Sequence, residues 1–263
     1  DMIKLSANLS MLFTEDSFLR RFKRAADNGF AAVEFLFPYE YKVEEIQEKL
    51  KQFHLKIVLH NLPAGNWESG ERGIACIPSR VDEFKKGVDL AIEYANALGV
   101  NQLNCLSGIK PENVSDEDAE NTLISNLQYA AEKLKGANIK LLIEPINNYD
   151  IPGFILNSTK KAIGIMDAVG SDNIYLQYDI YHAQRMEGEL LGNISKYFDR
   201  IAHIQIADNP GRNEPGTGEI NYKNIFKSLN RLNYQGWVGC EYKPAKDTVL
   251  GLVWVDTHGL NHQ

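Results

Sequence analysis

Short apolar runs alternate along the whole chain with longer stretches in which apolar residues recur at helical spacing. The runs fall at 5–10, 32–37, 57–62, 102–107, 140–147, 175–182, 201–208 and 237–243. Runs that are apolar on both alternating faces and bounded by turn residues read as strands buried on both sides. Between them, 17–28, 43–53, Val81–Leu98, 116–134, Thr159–Val169, 189–198 and 222–232 carry amphipathic helical patterns. In 17–28 the apolar face is Phe18, Phe22, Ala25 and Ala26; in Val81–Leu98 it is Phe84, Val88, Ala91, Ala95 and Leu98. Ser115 and Ser158 stand where a helix needs an oxygen to accept its first free N–H groups. Gly29, Gly99, Gly136 and Gly170 mark helix stops, because glycine takes the left-handed cap without strain.

Strand and helix alternate eight times without hairpin turns, so the strands are expected to be parallel and joined by helical crossovers. Eight such units predict a closed (β/α)8 barrel, an α/β TIM barrel formed by 1–263 as a single domain. An open, doubly wound sheet is the structural rival, but no glycine-rich phosphate loop follows the first strand. A length of 263 residues alone allows one domain or two; the unbroken alternation, with no linker or low-complexity segment, predicts one.

Composition narrows the classes. The net charge of −7 lacks the basic face expected of a nucleic-acid binder, so no nucleic-acid partner is expected. No apolar run approaches the span of a bilayer, and the opening stretch lacks a basic segment followed by an apolar block. No membrane partner is expected, and a cytoplasmic location is. The three cysteines, Cys76, Cys105 and Cys240, have no metal or disulfide spacing, and Cys105 and Cys240 read as small core hydrophobes. Oligomeric state is left open, with a homo-oligomer allowed.

A polar residue inside a doubly buried strand costs free energy unless it is satisfied or used. Each run here carries one near its C-terminal end: Asn8, Glu34, His60, Asn104, Glu144, Asp179, Gln205 and Glu241. In a barrel that end is the active-site face. Glu144, Asp179, Gln205 and Glu241 come from four successive strands and would converge as an oxygen-rich set. Three carboxylates together repel one another, and a divalent cation relieves the conflict; oxygen ligation favours Mg²⁺ or Mn²⁺ over Zn²⁺. Glu34 is read either as a supporting or substrate ligand or as the partner of a buried Arg or Lys, and His203 as a satisfied core histidine. His54, His258 and His262 read as surface residues. The long connections 61–78 and 209–219 follow strands and so lie on the same face. They supply Arg72 and Arg212, with Lys243 just beyond Glu241; with His60 and His182 these are the candidate substrate contacts. Trp67 could close as a lid, although for Trp67 and Phe13 packing is an equal expectation.

Several segments resemble the hydroxypyruvate isomerase family of the xylose-isomerase-like TIM barrels. They are SANLSMLF at 6–13, VEFLFPYEY, HNLPAG, GERGIACIP, LLIEPIN, YDIPGF, QYDIYHAQRMEGEL, HIQIADNPGRNEPGTGEINY and GWVGCEYKP. The resemblance implies interconversion of hydroxypyruvate and 2-hydroxy-3-oxopropanoate, a small anionic hydroxy-keto acid. It implies Glu144 and Glu241 as the acid–base pair and Glu144, Asp179, Gln205 and Glu241 as the metal shell. Related sugar 3-epimerases have His where Gln205 stands, which argues against epimerase activity. A sister group isomerises 2-oxo-tetronate and shares the NLSMLF-like, HAQ and CEYKP segments. Two other classes are weighed: a metal-dependent endonuclease, which needs a His-rich site, and a non-catalytic carbohydrate-binding barrel, which does not need paired glutamates.

Overall fold

The computed structural model describes residues 3–260. Eight parallel strands close into a barrel in chain order: β1 Lys4–Asn8, β2 Ala32–Glu34, β3 Lys56–Asn61, β4 Gln102–Cys105, β5 Lys140–Ile143, β6 Ile174–Asp179, β7 Ile201–Ile206 and β8 Trp237–Cys240. Closure is made by β1 on β8, with Lys4 opposite Trp237 and Ala7 opposite Cys240. Around it run α1 Phe18–Asp27, α2 Val43–Gln52, α3 Val81–Leu98, α4 Asp116–Gly136, α5 Thr159–Val169, α6 Ile180–Met186, α7 Leu190–Lys196, α8 Tyr222–Arg231, α9 Thr248–Gly251 and α10 Val253–Thr257.

The caps follow the sequence in part. Ser115 accepts from the Asp118 N–H and Ser158 from the Lys161 N–H, while Ser17 makes no side-chain cap bond. Gly99 and Gly170 close α3 and α5 in the left-handed conformation. Helix α4 runs through Gly136 rather than stopping before it, and Asn138 takes the positive φ instead. Helices α6, α9 and α10 are not evident in the apolar pattern. They are only 7, 4 and 5 residues long, too short for a 3.6-residue period to declare itself.

The main core lies between the barrel and its helices, where the outward faces of the strands meet Phe22, Phe84, Leu127 and Phe226. Inside the barrel the apolar content shrinks to a small cluster of Ala32, Val58, Leu59 and Leu142. Barrel interiors usually hold layers of branched apolar side chains. Here polar groups occupy the space above and below that thin layer, and they belong to the sites described next.

Candidate active site

At the C-terminal mouth a cavity of about 270 Å³ is lined by Glu144, His182, Arg212, Glu241, Asn61 and Trp67, with Met11, Leu36, Leu106 and Ile146 as apolar wall. Glu144 and Glu241 stand one residue beyond the ends of β5 and β8, and Asp179 is the last residue of β6. For the two glutamates the ladder has already stopped, which frees their side chains to lean over the barrel, while Asp179 still pairs with Gln205. Asp179 also caps α6, accepting from the His182 N–H at 3.0 Å, and this puts His182 beside the acids. Glu144, Asp179 and His182 present atoms within 4.8 Å of one another, a grouping able to hold a metal ion.

All three acids are buried. Burial first, then Glu241 and Asp179, push the Glu144 carboxyl well above the usual carboxylate range. Burial likewise raises Glu241 to about 8, with Asp179 and Glu34 adding to it and Arg212 opposing. Excess negative charge in a low-dielectric cavity is the physical cause. Arg212 is the nearby counter-charge: its Nη2 lies 3.3 Å from Glu241 Oε1 and its Nη1 3.8 Å from Asp150 Oδ2. Burial opposes its charge, but Glu241 and Asp179 outweigh that and keep it protonated.

The orientation of His182 is fixed from behind. Asn147 Oδ1 accepts from the Asp150 N–H at 2.8 Å, which turns the Asn147 amide nitrogen toward His182 Nδ1, also at 2.8 Å. Nδ1 therefore accepts, and the proton sits on Nε2. That atom lies 3.9 Å from Glu144 Oε2 and 3.8 Å from Asp179 Oδ2. Burial lowers the His182 pKa to about 4, so the ring is neutral near pH 7 and offers one N–H into the cavity. Tyr181 completes the support, donating to Asp150 Oδ2 at 2.6 Å while its ring lies under the Arg212 guanidinium. Asn147, Asp150 and Tyr181 are missed by sequence reasoning, since their roles come from partners brought together only by the fold.

Glu34 does not pair with a buried Arg or Lys. It lies at the barrel centre, where Ser6 Oγ donates at 2.7 Å, Gln205 Nε2 at 2.7 Å and Asn8 Nδ2 at 3.1 Å, and His203 Nε2 lies 2.9 Å away. Burial opposes its ionisation, but His203 and these donors outweigh burial and hold its pKa below the ordinary value. Asn8 Nδ2 also reaches Glu241 Oε2 at 3.0 Å, and Gln205 Nε2 reaches it at 3.3 Å. Gln205 thus differs from the expected oxygen ligand. Its amide nitrogen faces two carboxylates, and its Oε1 accepts from Gln177 at 2.8 Å. Asn104 also serves an acid, donating to Glu144 Oε1 at 3.1 Å.

The remaining candidates are dispersed. His60 does not line the cavity, because the register shift in β3 turns it to the helix side, against Phe35 and Tyr39; its Nδ1 meets only Tyr39 Oη and Asn61 O, and its Nε2 is buried without a partner. Asn61 Nδ2, on the cavity wall, is also buried and unpartnered. Arg72 is taken up within its own loop. It stacks on Trp67 at 3.8 Å and donates to the carbonyls of Trp67 and Glu71, so it props the tryptophan rather than facing the acids. Lys243 is exposed and off the cavity wall, because the chain beyond β8 turns Glu241 in and carries Lys243 out; its backbone N–H instead holds the Arg212 carbonyl at 2.7 Å. Phe13 is buried in the main core. His54 is exposed, but His258 is half-buried against Phe226 and Trp254, which corrects its expected surface place; His262 lies outside the described residues. Burial raises the Cys76 thiol to about 11 and Cys105 to about 12, and pushes Cys240 well above the ordinary thiol range, so none is a poised nucleophile.

A closed eight-stranded barrel with buried acids at its C-terminal mouth defines the class, and the family described as xylose isomerase-like TIM barrel matches residues 22–257. A hydroxypyruvate isomerase of Escherichia coli is 55% identical over 98% of this chain and 100% of its own length. A 2-oxo-tetronate isomerase of Haemophilus influenzae is 43% identical over 96% of this chain and 98% of its own. A crystal structure named AP endonuclease, family 2, from Brucella melitensis superposes with a TM-score of 0.95 at 44% identity, covering 97% of this chain and 99% of that one. Within the xylose isomerase-like barrels, the chain belongs to the hydroxypyruvate isomerase family. No helix among the described residues is long and apolar enough to cross a membrane.

Proposed function

We propose that the chain, acting as one barrel domain, interconverts hydroxypyruvate and 2-hydroxy-3-oxopropanoate, with Glu144 and Glu241 moving the proton. The carrying observation is that buried Glu144 and Glu241 share one small cavity with Arg212 and His182, with buried Asp179 within reach of Glu144. Full-length identity of 55% to a hydroxypyruvate isomerase, against 43% to a 2-oxo-tetronate isomerase, supports the three-carbon substrate. A cavity of about 270 Å³ suits a substrate of that size.

Glu144, Asp179 and Glu241 fit a divalent cation by their chemistry: three buried carboxylates and one guanidinium leave excess negative charge. We assign Mg²⁺ or Mn²⁺, because the free donors are oxygens and the proton on His182 Nε2 removes the nitrogen alternative in this arrangement. When bound, the cation would neutralise the cluster and polarise an adjacent carbonyl. Gln205 would offer it an oxygen only by turning its amide over together with Gln177; as oriented, it holds Glu241 in place.

One glutamate takes a proton from the hydroxymethyl carbon, and the carbonyl oxygen gains one, giving an enediol. Return of a proton to the former carbonyl carbon, with loss of one from the terminal hydroxyl, gives the aldehyde. Carboxyls whose proton affinity is raised toward neutrality are suited to both halves of this transfer. Arg212 matches the substrate carboxylate, and His182 Nε2–H a substrate oxygen. Trp67, braced by Arg72, forms part of the cavity wall and would limit water there. An endonuclease activity, as named for the Brucella melitensis protein, is disfavoured by an acid-lined cavity in a chain of net charge −7.

The test is side-by-side kinetics on hydroxypyruvate and 2-oxo-tetronate, with and without a chelator. We expect the higher kcat/KM on hydroxypyruvate, loss of turnover on chelation and recovery with Mg²⁺ or Mn²⁺. A preference for the four-carbon acid would move the substrate assignment, and full turnover after chelation would remove the metal. Turnover in D2O should place deuterium on carbon; a product free of deuterium would instead indicate a hydride shift.

A further inference from the structure

The opposite mouth of the barrel holds a second site of a different character. Strands β1, β3 and β5 begin with Lys4, Lys56 and Lys140. Their ladder partners Trp237, Ala32 and Gln102 face the barrel interior, and the three lysines face it with them. Interior layers of such a barrel are built from four side chains on alternate strands, normally branched and apolar. At this end the layer from the odd strands is Lys4, Lys56 and Lys140, with Ala202 from β7, where a register shift against β6 turns Ile201 into the main core. All four line a cavity of about 450 Å³.

None of the three lysines forms an ion pair among the described residues, whereas Lys23, Lys135, Arg24, Arg80 and Arg200 all do. Two are held against aromatic rings instead: Lys4 Nζ lies 4.8 Å from the Trp237 ring and Lys140 Nζ 4.9 Å from the Tyr175 ring. An aromatic face positions an ammonium group without neutralising it. Asp199 is the single carboxylate on the cavity wall. The cup therefore gathers three cations against one anion in a chain whose net charge is −7. The thin apolar layer of Ala32, Val58 and Leu142 lies between it and the acids of the other mouth.

We propose that this basic cup binds a small, multiply charged anion through carboxylate or phosphoryl oxygens. Lysine ammonium groups serve such oxygens as mobile point charges, and the cavity is large enough for a polyanion of metabolite size. The site does not depend on the isomerase assignment, because it lies at the other end of the barrel.

The test is isothermal titration of the full chain, without divalent metal and at constant ionic strength, with inorganic pyrophosphate and separately with citrate. The comparison proteins are Lys140→Gln and the triple variant Lys4→Gln, Lys56→Gln, Lys140→Gln, each checked by circular dichroism and melting. We expect one anion per chain, binding weakened by about tenfold or more in the triple variant and by less in the single one. Saturable binding of pyrophosphate alone would assign phosphoryl oxygens, and of citrate alone carboxylates. No saturable binding to either probe would overturn the proposal. So would equal affinity in wild type and in folded variants, full displacement by chloride, or displacement by hydroxypyruvate, which would put the anion in the acidic cavity.

Discussion

Arg212 shows how much a single side chain carries in this site. It faces Glu241, lies over the Tyr181 ring and borders the cavity, while its backbone takes a positive φ of 60°. A planar fork can grip a carboxylate with two parallel hydrogen bonds; an ammonium cannot. Arg212→Lys should therefore raise KM for hydroxypyruvate by about tenfold or more with a smaller change in kcat. Steady-state kinetics checks this; an unchanged KM would remove Arg212 from substrate binding. Glu144, Asp179 and Glu241 were legible in the sequence as polar interruptions of doubly buried strands. Asn147, Asp150 and Tyr181 were not, because their value lies in partners on neighbouring loops. Arg72 and Lys243 looked equivalent to Arg212 in sequence. What separates them is local: Trp67 claims the first, and the outward turn after β8 exposes the second.

At the scale of elements, all eight strands were legible, but their ends were not. The pattern runs past the ladder, since 144–147, Glu241 and Tyr242 stay buried after they stop pairing, while Lys243, at the end of the last run, is exposed. Strand β8 contributes a further constraint through Gly239. A Cβ at this position would strike the Glu34 carboxylate, so the glycine makes room for the charged centre of the barrel. Gly239→Ala should destabilise the fold by about 1–3 kcal/mol, the usual cost of overpacking a filled interior. It should also disturb Glu241, whose partners Asn8 and Gln205 are shared with Glu34. Denaturant melts together with turnover check this, and a variant of wild-type stability would show that Glu34 has room to move.

For the molecule as a whole, the barrel interior is polar along much of its axis, and a buried histidine between the barrel and its helices gives stability a pH dependence. His60 is buried with an unpartnered Nε2, and burial lowers its pKa from 6.5 to about 4. Between those values the unfolded chain binds a proton that the native state refuses, so stability falls as pH drops from about 6.5 toward 4. His60→Gln removes this dependence. The stability difference between wild type and variant should shift against wild type by about 1.4 kcal/mol per pH unit across that window. A difference that stays flat between those limits would contradict a neutral, buried His60. The closed barrel followed from alternation and length, whereas the polar interior did not, because the sequence names the residues but not which of them share a strand layer. The central claim, that Glu144 and Glu241 move the proton in hydroxypyruvate isomerisation, is tested most directly by turnover of Glu144→Gln and Glu241→Gln. Each should lose turnover by about 10²–10⁴-fold while keeping the wild-type circular dichroism and melting profile. Turnover within severalfold of wild type in both folded variants would contradict it.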